Sequence, residues 1–212
     1  RKAGDTVFGE TCPQYLVLDE SRYDDPVEGL KFILSPPLRA KEHQEAIWQG
    51  IKDGTLQVIA TDHCSFDFHG DKQNGKDDFT KCPNGAPGVE TRMPIVFSEG
   101  VSKGRLSLNE FAAVTSTNPA KIFGMYPKKG VLAPGSDADI VLMNPDIEVT
   151  ITKNILHENV DYTPYEGIQV KGWPVMTMVR GQAVVENERL QVPLGFGRYI
   201  NRKPVKYTEL LK

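Results

Sequence analysis

The segment Ile59-Ala60-Thr61-Asp62-His63-Cys64 is an apolar run that stops at an acid and an imidazole. It reads as a buried strand that delivers a carboxylate and an imidazole to one point at its C-terminal end, where parallel α/β folds collect their chemistry. Such a pair points toward metal-assisted hydrolysis. One carboxylate does not hold a catalytic metal, however, and the rest of the chain does not visibly supply the other ligands.

Composition narrows the possibilities. The 212 residues are 39% hydrophobic and 25% charged with a formal net charge of -3, which describes a globular chain with room for one large domain or two small ones. Basic residues are scattered and form no stripe, so no nucleic-acid partner is expected. Apolar runs such as Tyr15 to Leu18, Phe111 to Val114 and Ile140 to Met143 fall far short of the roughly 20 residues that span a bilayer, so no membrane partner is expected either. Cys12, Cys64 and Cys82 are an odd number at wide spacing, which argues against a disulfide scaffold or a zinc knuckle and for a reducing, cytoplasmic setting. The opening Arg1-Lys2-Ala3-Gly4-Asp5 has neither an initiator Met nor a secretory core, and reads as the continuation of something upstream.

Along the chain, Val7 to Leu18 is rich in strand formers, with Pro13 marking a strand end or bend. Lys31 to Leu38 is an extended segment fixed by Pro36 and Pro37. Glu42 to Lys52 predicts a helix on the Ile47 and Ile51 spacing, ended by Gly54, and Leu56 to Thr61 follows as a strand. Strand, helix and strand in this order fit the last units of a β/α barrel. Ser65 to Gly88 is polar and too long for a mere connector; its place directly after Asp62 and His63 favours a substrate loop. Ser107-Leu108-Asn109-Glu110 is a capping box, and a second helix is expected to start at Asn118-Pro119 and stop at Gly124.

Composition changes after Tyr126-Pro127. Lys129 to Leu132, Ala138 to Met143 and Val175 to Val185 are short β runs, the last folded at a hairpin turn over Arg180-Gly181-Gln182. An all-β module therefore closes the chain, and the tail from Pro193 to Lys212 is expected to lie across another surface.

Several of these segments together resemble one family. They are Gly9-Glu10-Thr11-Cys12-Pro13-Gln14-Tyr15-Leu16, Ser35-Pro36-Pro37-Leu38-Arg39, Thr61-Asp62-His63-Cys64, Asp78-Phe79-Thr80-Lys81, Pro83-Asn84-Gly85 with Gly88-Val89-Glu90, Ser116 to Phe123, and Gly135 to Ile140. In this order they are similar to the C-terminal part of the dihydropyrimidinases and hydantoinases, metal-dependent barrel enzymes of the amidohydrolase superfamily. The resemblance implies an α/β fold: the C-terminal portion of a (β/α)8 TIM-like barrel over residues 1–127, part of a small β-sandwich over 128–190, and a tail over 191–212 that contacts an oligomer neighbour. It also implies that the His-x-His motif, the carboxylated lysine and two further histidine ligands lie upstream, since His43, His63, His69 and His157 match none of them. The chain is thus expected to be a fragment, inactive alone.

The activity implied is hydrolytic opening of a cyclic amide, a 5,6-dihydropyrimidine or a 5-substituted hydantoin. Two divalent metal ions, zinc being the expected species, would be bound mostly by residues absent from this chain, and the full enzyme would be a homotetramer. By resemblance Asp62 is a metal ligand and the catalytic base; from the strand pattern alone it could equally cap a turn. His63 is either a partner orienting Asp62 or a neighbouring ligand, or else a packed histidine with one nitrogen satisfied. Ser35 and Asn84 match the substrate-binding positions, where backbone groups meet the polar edge of the ring. Cys64 is expected to be a buried inert thiol, Cys12 and Cys82 structural, and Asp67, Asp71, Asp77 and Asp78 a solvated loop rather than a calcium site. Two other readings compete. One is a non-enzymatic scaffold like the collapsin response mediator proteins, which the retained Asp62 speaks against. The other is a different cyclic amidohydrolase such as dihydroorotase or allantoinase, to which the Asn84-Gly85 and Gly88-Val89-Glu90 loop is less similar, and a carboxylate-bearing substrate would require a cation not located here.

Overall fold

The computed structural model describes residues 5–205, so the opening Arg1 to Gly4 and the last residues of the tail, 206–212, lie outside the described residues. Two short strands form its centre. β1 (Glu10–Thr11) and β2 (Val58–Ile59) are parallel, with Glu10 opposite Val58 and Thr11 opposite Ile59. Backbone bonds extend the pairing at both ends: Gln57 N donates to Gly9 O and Ala60 N to Thr11 O, each at 2.8 Å. Parallel strands need a long crossover, and here it contains helices α1 (Pro13–Val17) and α2 (His43–Lys52).

The strand expected over Val7 to Leu18 is corrected: pairing ends at Thr11 and Pro13 opens α1. Its fixed φ suits the first helical position, where the missing N–H would have no intrahelical partner. α2 is as expected, burying Trp48 and Ile51 and ending at Gly54 with φ 69.

Helix α3 (Arg92–Val96) continues as a wider π turn over Phe97–Ser102. Beyond it, α4 (Leu108–Ala112), a π turn over Ala113–Thr117 and α5 (Asn118–Ile122) make one continuous rod. The capping box is formed: Ser107 Oγ accepts from Glu110 N at 3.2 Å, and Glu110 Oε2 accepts from Ser107 N at 2.7 Å. A separate helix start at Asn118 is not formed; Asn118 lies inside the rod and donates its Nδ2 to Gln57 O at 2.9 Å. Pro119 offers no N–H to the Thr115 carbonyl four residues back. That oxygen accepts from Arg92 Nη1 instead, at 3.3 Å, so the rod passes a proline without leaving that carbonyl unpartnered. The rod ends at Gly124, φ 70, as expected.

The closing module is a four-stranded antiparallel sheet of β3 (Ile140–Thr150), β4 (Gln169–Val179), β5 (Gln182–Glu186) and β6 (Arg189–Leu190), in that order. Arg180 and Gly181, at φ 52 and 78, form the two-residue turn between β4 and β5, with the left-handed geometry that matches strand twist. Lys129 to Leu132 is not a strand; Lys129 Nζ pairs with Asp137 at 3.0 Å and also with Asp139.

Ile59, Ile95, Val96 and Ile151 have no exposed surface. Ile59 packs with Trp48, Val96 and Phe111, and Ile95 with Leu18, Ile151 and Val170, so the core joins β2, α2, the rod and the roots of β3 and β4. The described part of the tail lies on its own chain: Arg180 Nη2 donates to Phe196 O at 2.8 Å, and Lys203 N to Gly124 O at 3.0 Å. Among the described residues no helix is long and apolar enough to cross a membrane.

Candidate functional site

Asp62 stands just past the C-terminal end of β2, exposed, with φ 49. Asp and Asn are the side chains that best tolerate this left-handed region, and a residue held there marks a segment whose surroundings dictate its backbone. Those surroundings are visible. Gln14 Nε2 donates to Thr61 O at 3.3 Å, while Gln14 Oε1 accepts from the buried Tyr165 hydroxyl at 3.2 Å. Arg92 Nη1 donates to Ile59 O at 2.9 Å as well as to the rod, which ties the end of β2 to the helices beneath it. Burial, with the nearby charges of Glu10 and Asp62, pushes the Cys12 thiol up to about 12, so it stays neutral and inert.

After Asp62 the chain turns against the end of the long loop. His63 pairs with Ala86 in parallel fashion, and Cys64 N donates to Ala86 O at 3.2 Å. His63 Nδ1 accepts from Gly88 N at 3.1 Å and from Val89 N at 3.3 Å, which assigns its proton to Nε2. Glu158 Oε1 lies 3.8 Å from the same Nδ1, too far to bond it, and accepts from Glu90 N at 3.0 Å. Cys64 is exposed, contrary to the expected buried thiol, and Gly85 lies close against its carbonyl oxygen and side chain.

Glu90 in turn holds His157. Its Oε2 accepts from His157 N and its Oε1 meets His157 Nδ1, both at 2.7 Å. The bond and charge of Glu90, with Glu188 adding to them, raise the His157 pKa above its ordinary 6.5. A raised folded pKa contributes stability that is complete below the unfolded value and is lost as pH rises through the folded one. Thermal midpoints of the parent and of His157→Gln should therefore differ most in mildly acidic buffer and converge on the alkaline side; a constant difference from about pH 5 to pH 9 would contradict the assignment. The side chain is exposed, so the difference should also shrink in high salt.

The loop over residues 65–88 is packed rather than simply solvated, although its aspartates are mostly exposed. Its outer end is held by Asp161, which accepts from Phe68 N at 2.6 Å, His69 N at 2.8 Å and bonds His69 Nδ1 at 2.8 Å. Its inner end is held by Lys72, whose Nζ donates to Ile33 O, Pro83 O and Gly85 O at 3.0, 2.7 and 2.6 Å. These anchors bring two of the sequence-expected residues together: Asn84 Nδ2 donates to Ser35 Oγ at 2.9 Å. Both lie on an open groove of about 570 Å³, with Tyr23, Leu30, Ile33 and Phe79 on its walls. Asp62 does not line that groove; it is connected to it through the His63–Ala86 pairing.

Neither Lys72 nor Glu158 was singled out by the sequence, where each is one more charged residue in a polar stretch. Among the described residues no three His, Cys, Asp or Glu side chains converge on a point where a metal ion could sit. The described residues therefore do not fit a metal by themselves, and Asp62 supplies at most one ligand of such a site.

The sequence profile of the amidohydrolase family matches residues 17–184. The chain belongs to the amidohydrolase family. Among family members, the D-hydantoinase of Geobacillus stearothermophilus is 50% identical over 212 residues, covering 100% of this chain and 45% of that protein. The D-phenylhydantoinase of Escherichia coli is 49% identical over 198 residues, covering 93% of this chain and 43% of that one. The crystal structure of the dihydropyrimidinase from Brevibacillus agri superposes with a TM-score of 0.94 at 51% identity, over 97% of this chain and 45% of that chain. The amidohydrolase chain described here thus spans less than half the length of the relatives it matches.

Proposed function

We propose that this chain provides the C-terminal half of a metal-dependent cyclic amidohydrolase that opens 5,6-dihydropyrimidine or 5-substituted hydantoin rings. In this reading, residues 1–127 are the last units of a (β/α)8 barrel, 128–190 part of a small β-sandwich, and 191–212 a tail that contacts a neighbour in a cytoplasmic homotetramer. The observation that carries it is the assembly at the end of the parallel strands: Asp62 is presented there in a left-handed backbone, and His63 beside it forms a single parallel bridge with Ala86 of the loop that brings Asn84 onto Ser35. Half-length matches to a D-hydantoinase and a dihydropyrimidinase at about half identity support the substrate class.

Two divalent metal ions, zinc being the expected species, would acidify the attacking water and polarise the ring carbonyl when held mainly by the upstream half. What this chain contributes is proton management and recognition. Asp62 accepts the proton released as water adds to the ring carbonyl, then returns it to the ring nitrogen as the carbon–nitrogen bond breaks. The products are a carboxylate and a terminal carbamoyl group; the second proton of the water leaves to solvent as the new carboxylic acid ionises, and Asp62 ends unprotonated. Backbone groups at Ser35 and Asn84 hold the flat polar edge of the ring, which orients the carbonyl for attack. His63, bonded through Nδ1 to the Gly88 and Val89 amides, holds the loop against the segment that carries Asp62 past the end of β2.

The test is metal analysis of the protein carrying the upstream half, with an assay on dihydrouracil, a substituted hydantoin, dihydroorotate and allantoin. Turnover of the first two with bound divalent metal is the expected result. Preference for either of the last two would overturn the substrate class, and a metal-free protein inert toward all four would favour the scaffold reading.

A further inference from the structure

Lys72 has no exposed surface, yet among the described residues no carboxylate pairs with it. An ammonium has three N–H donors, and here all three are used on backbone carbonyls. Burial lowers its pKa, the mark of a charge kept in a place that would rather have an apolar side chain. The three carbonyls are not random. Ile33 lies two residues before Ser35, and Pro83 and Gly85 flank Asn84 on both sides. One cation therefore clamps together the two segments whose side chains meet in the Asn84–Ser35 bond.

We propose that Lys72 is a positioning residue for ring recognition: its ammonium fixes and polarises the backbone edge of Asn84 that receives the substrate. This rests on the cyclic-amidohydrolase reading above. The Pro83 carbonyl and the Asn84 N–H belong to one peptide unit, so a cation 2.7 Å from that oxygen draws density from the nitrogen and makes the N–H a stronger donor. The Asn84 carbonyl shares its peptide unit with the Gly85 N–H, which donates to Ile33 O at 3.0 Å and makes that carbonyl a stronger acceptor. A strengthened donor and a strengthened acceptor then stand side by side on one residue. That pair complements the adjacent N–H and C=O of an imide or ureide edge, and an apolar replacement at Lys72 would release the clamp on Ile33, Pro83 and Gly85 and remove the polarisation of the Asn84 N–H.

The test uses the protein carrying the upstream half, in three forms: parent, Lys72→Met and Asp161→Ala. Asp161 holds the outer end of the same loop and takes no part in the site, so its variant reports what loosening the loop does by itself. Lys72→Met should raise KM for dihydrouracil by about ten-fold while kcat stays within about three-fold and metal content is unchanged. Asp161→Ala should lower the thermal midpoint with KM kept near the parent value. Equal KM shifts in the two variants, or none in Lys72→Met, would overturn the proposal. If Lys72→Met does not fold, Lys72→Gln, which keeps donors for part of the carbonyl set, carries the same comparison. A parent that opens no cyclic amide would instead overturn the functional reading on which the proposal stands.

Discussion

Replacing Asp62 with asparagine in the protein carrying the upstream half is expected to lower kcat for ring opening by about 10² to 10⁴-fold, the range over which a positioned acid–base group acts. The fold should be nearly untouched. Asp62 is exposed, and asparagine tolerates φ 49 as well as aspartate does, so the thermal midpoint of Asp62→Asn should match that of the parent. Asp62→Ala should lose turnover to the same degree and also lose about 1 kcal/mol of stability, because a β-carbon without a local polar group is disfavoured in the left-handed region. The two variants thus separate chemistry from backbone strain: activity depends on the carboxylate, stability on the conformation. Chemical denaturation and steady-state kinetics on dihydrouracil measure both. Near-parent turnover by Asp62→Asn would remove Asp62 from the proton path, whatever the fate of the fold.

What could be read from the residues divides along the range of the interactions. Ser107 and Glu110, Gly54, Gly124 and the Arg180–Gly181 turn were legible because each is decided within four or five residues by a cap, a positive φ or a hairpin. Pro13 was rightly read as a strand end, but the residues after it and Asn118 were misread because a local signal met a tertiary one. Pro13 serves as well at the start of a helix as at the end of a strand. Asn118-Pro119 looks like a helix start until Arg92, distant in sequence, occupies the carbonyl that the proline leaves open.

The site divides the same way. Asp62 stands out because an apolar strand stops at it, and Ser35 and Asn84 stand out through a resemblance to known enzymes. Lys72 does not, since a lysine among Asp71, Gln73 and Asn74 reads as solvated, and only the folded loop shows its ammonium surrounded by carbonyls. Cys64 was misread for a related reason: it is exposed although Gly85 packs closely against its carbonyl and side chain, an approach that belongs to two segments rather than to one.

That approach sets the second large expected effect. Gly85 has φ 139, and a β-carbon added to it would fall 2.6 Å from Cys64 O and 2.7 Å from Cys64 Cβ. Neither atom is the free end of a flexible side chain, and the neighbouring Cys64 N–Ala86 O bond at 3.2 Å holds the two segments together. Gly85→Ala must therefore push the loop off the strand end, straining the Lys72 bond to Gly85 O and the Gly85 N–Ile33 O bond on the opposite side. A loss of about 1 to 3 kcal/mol from overpacking is expected. Displacement of Asn84 by even about 1 Å should reduce kcat/KM by about 10²-fold. Gly70 provides the control within the same loop: its φ is 138, almost identical, but nothing lies within 4 Å of the added β-carbon. Gly70→Ala shares the backbone strain and lacks the collision. The difference between the two alanine variants in denaturation midpoint and in kcat/KM isolates the contact between loop and strand end. If Gly85→Ala behaved like Gly70→Ala in both measurements, the close packing of Gly85 on Cys64 would not be what holds Asn84 in place.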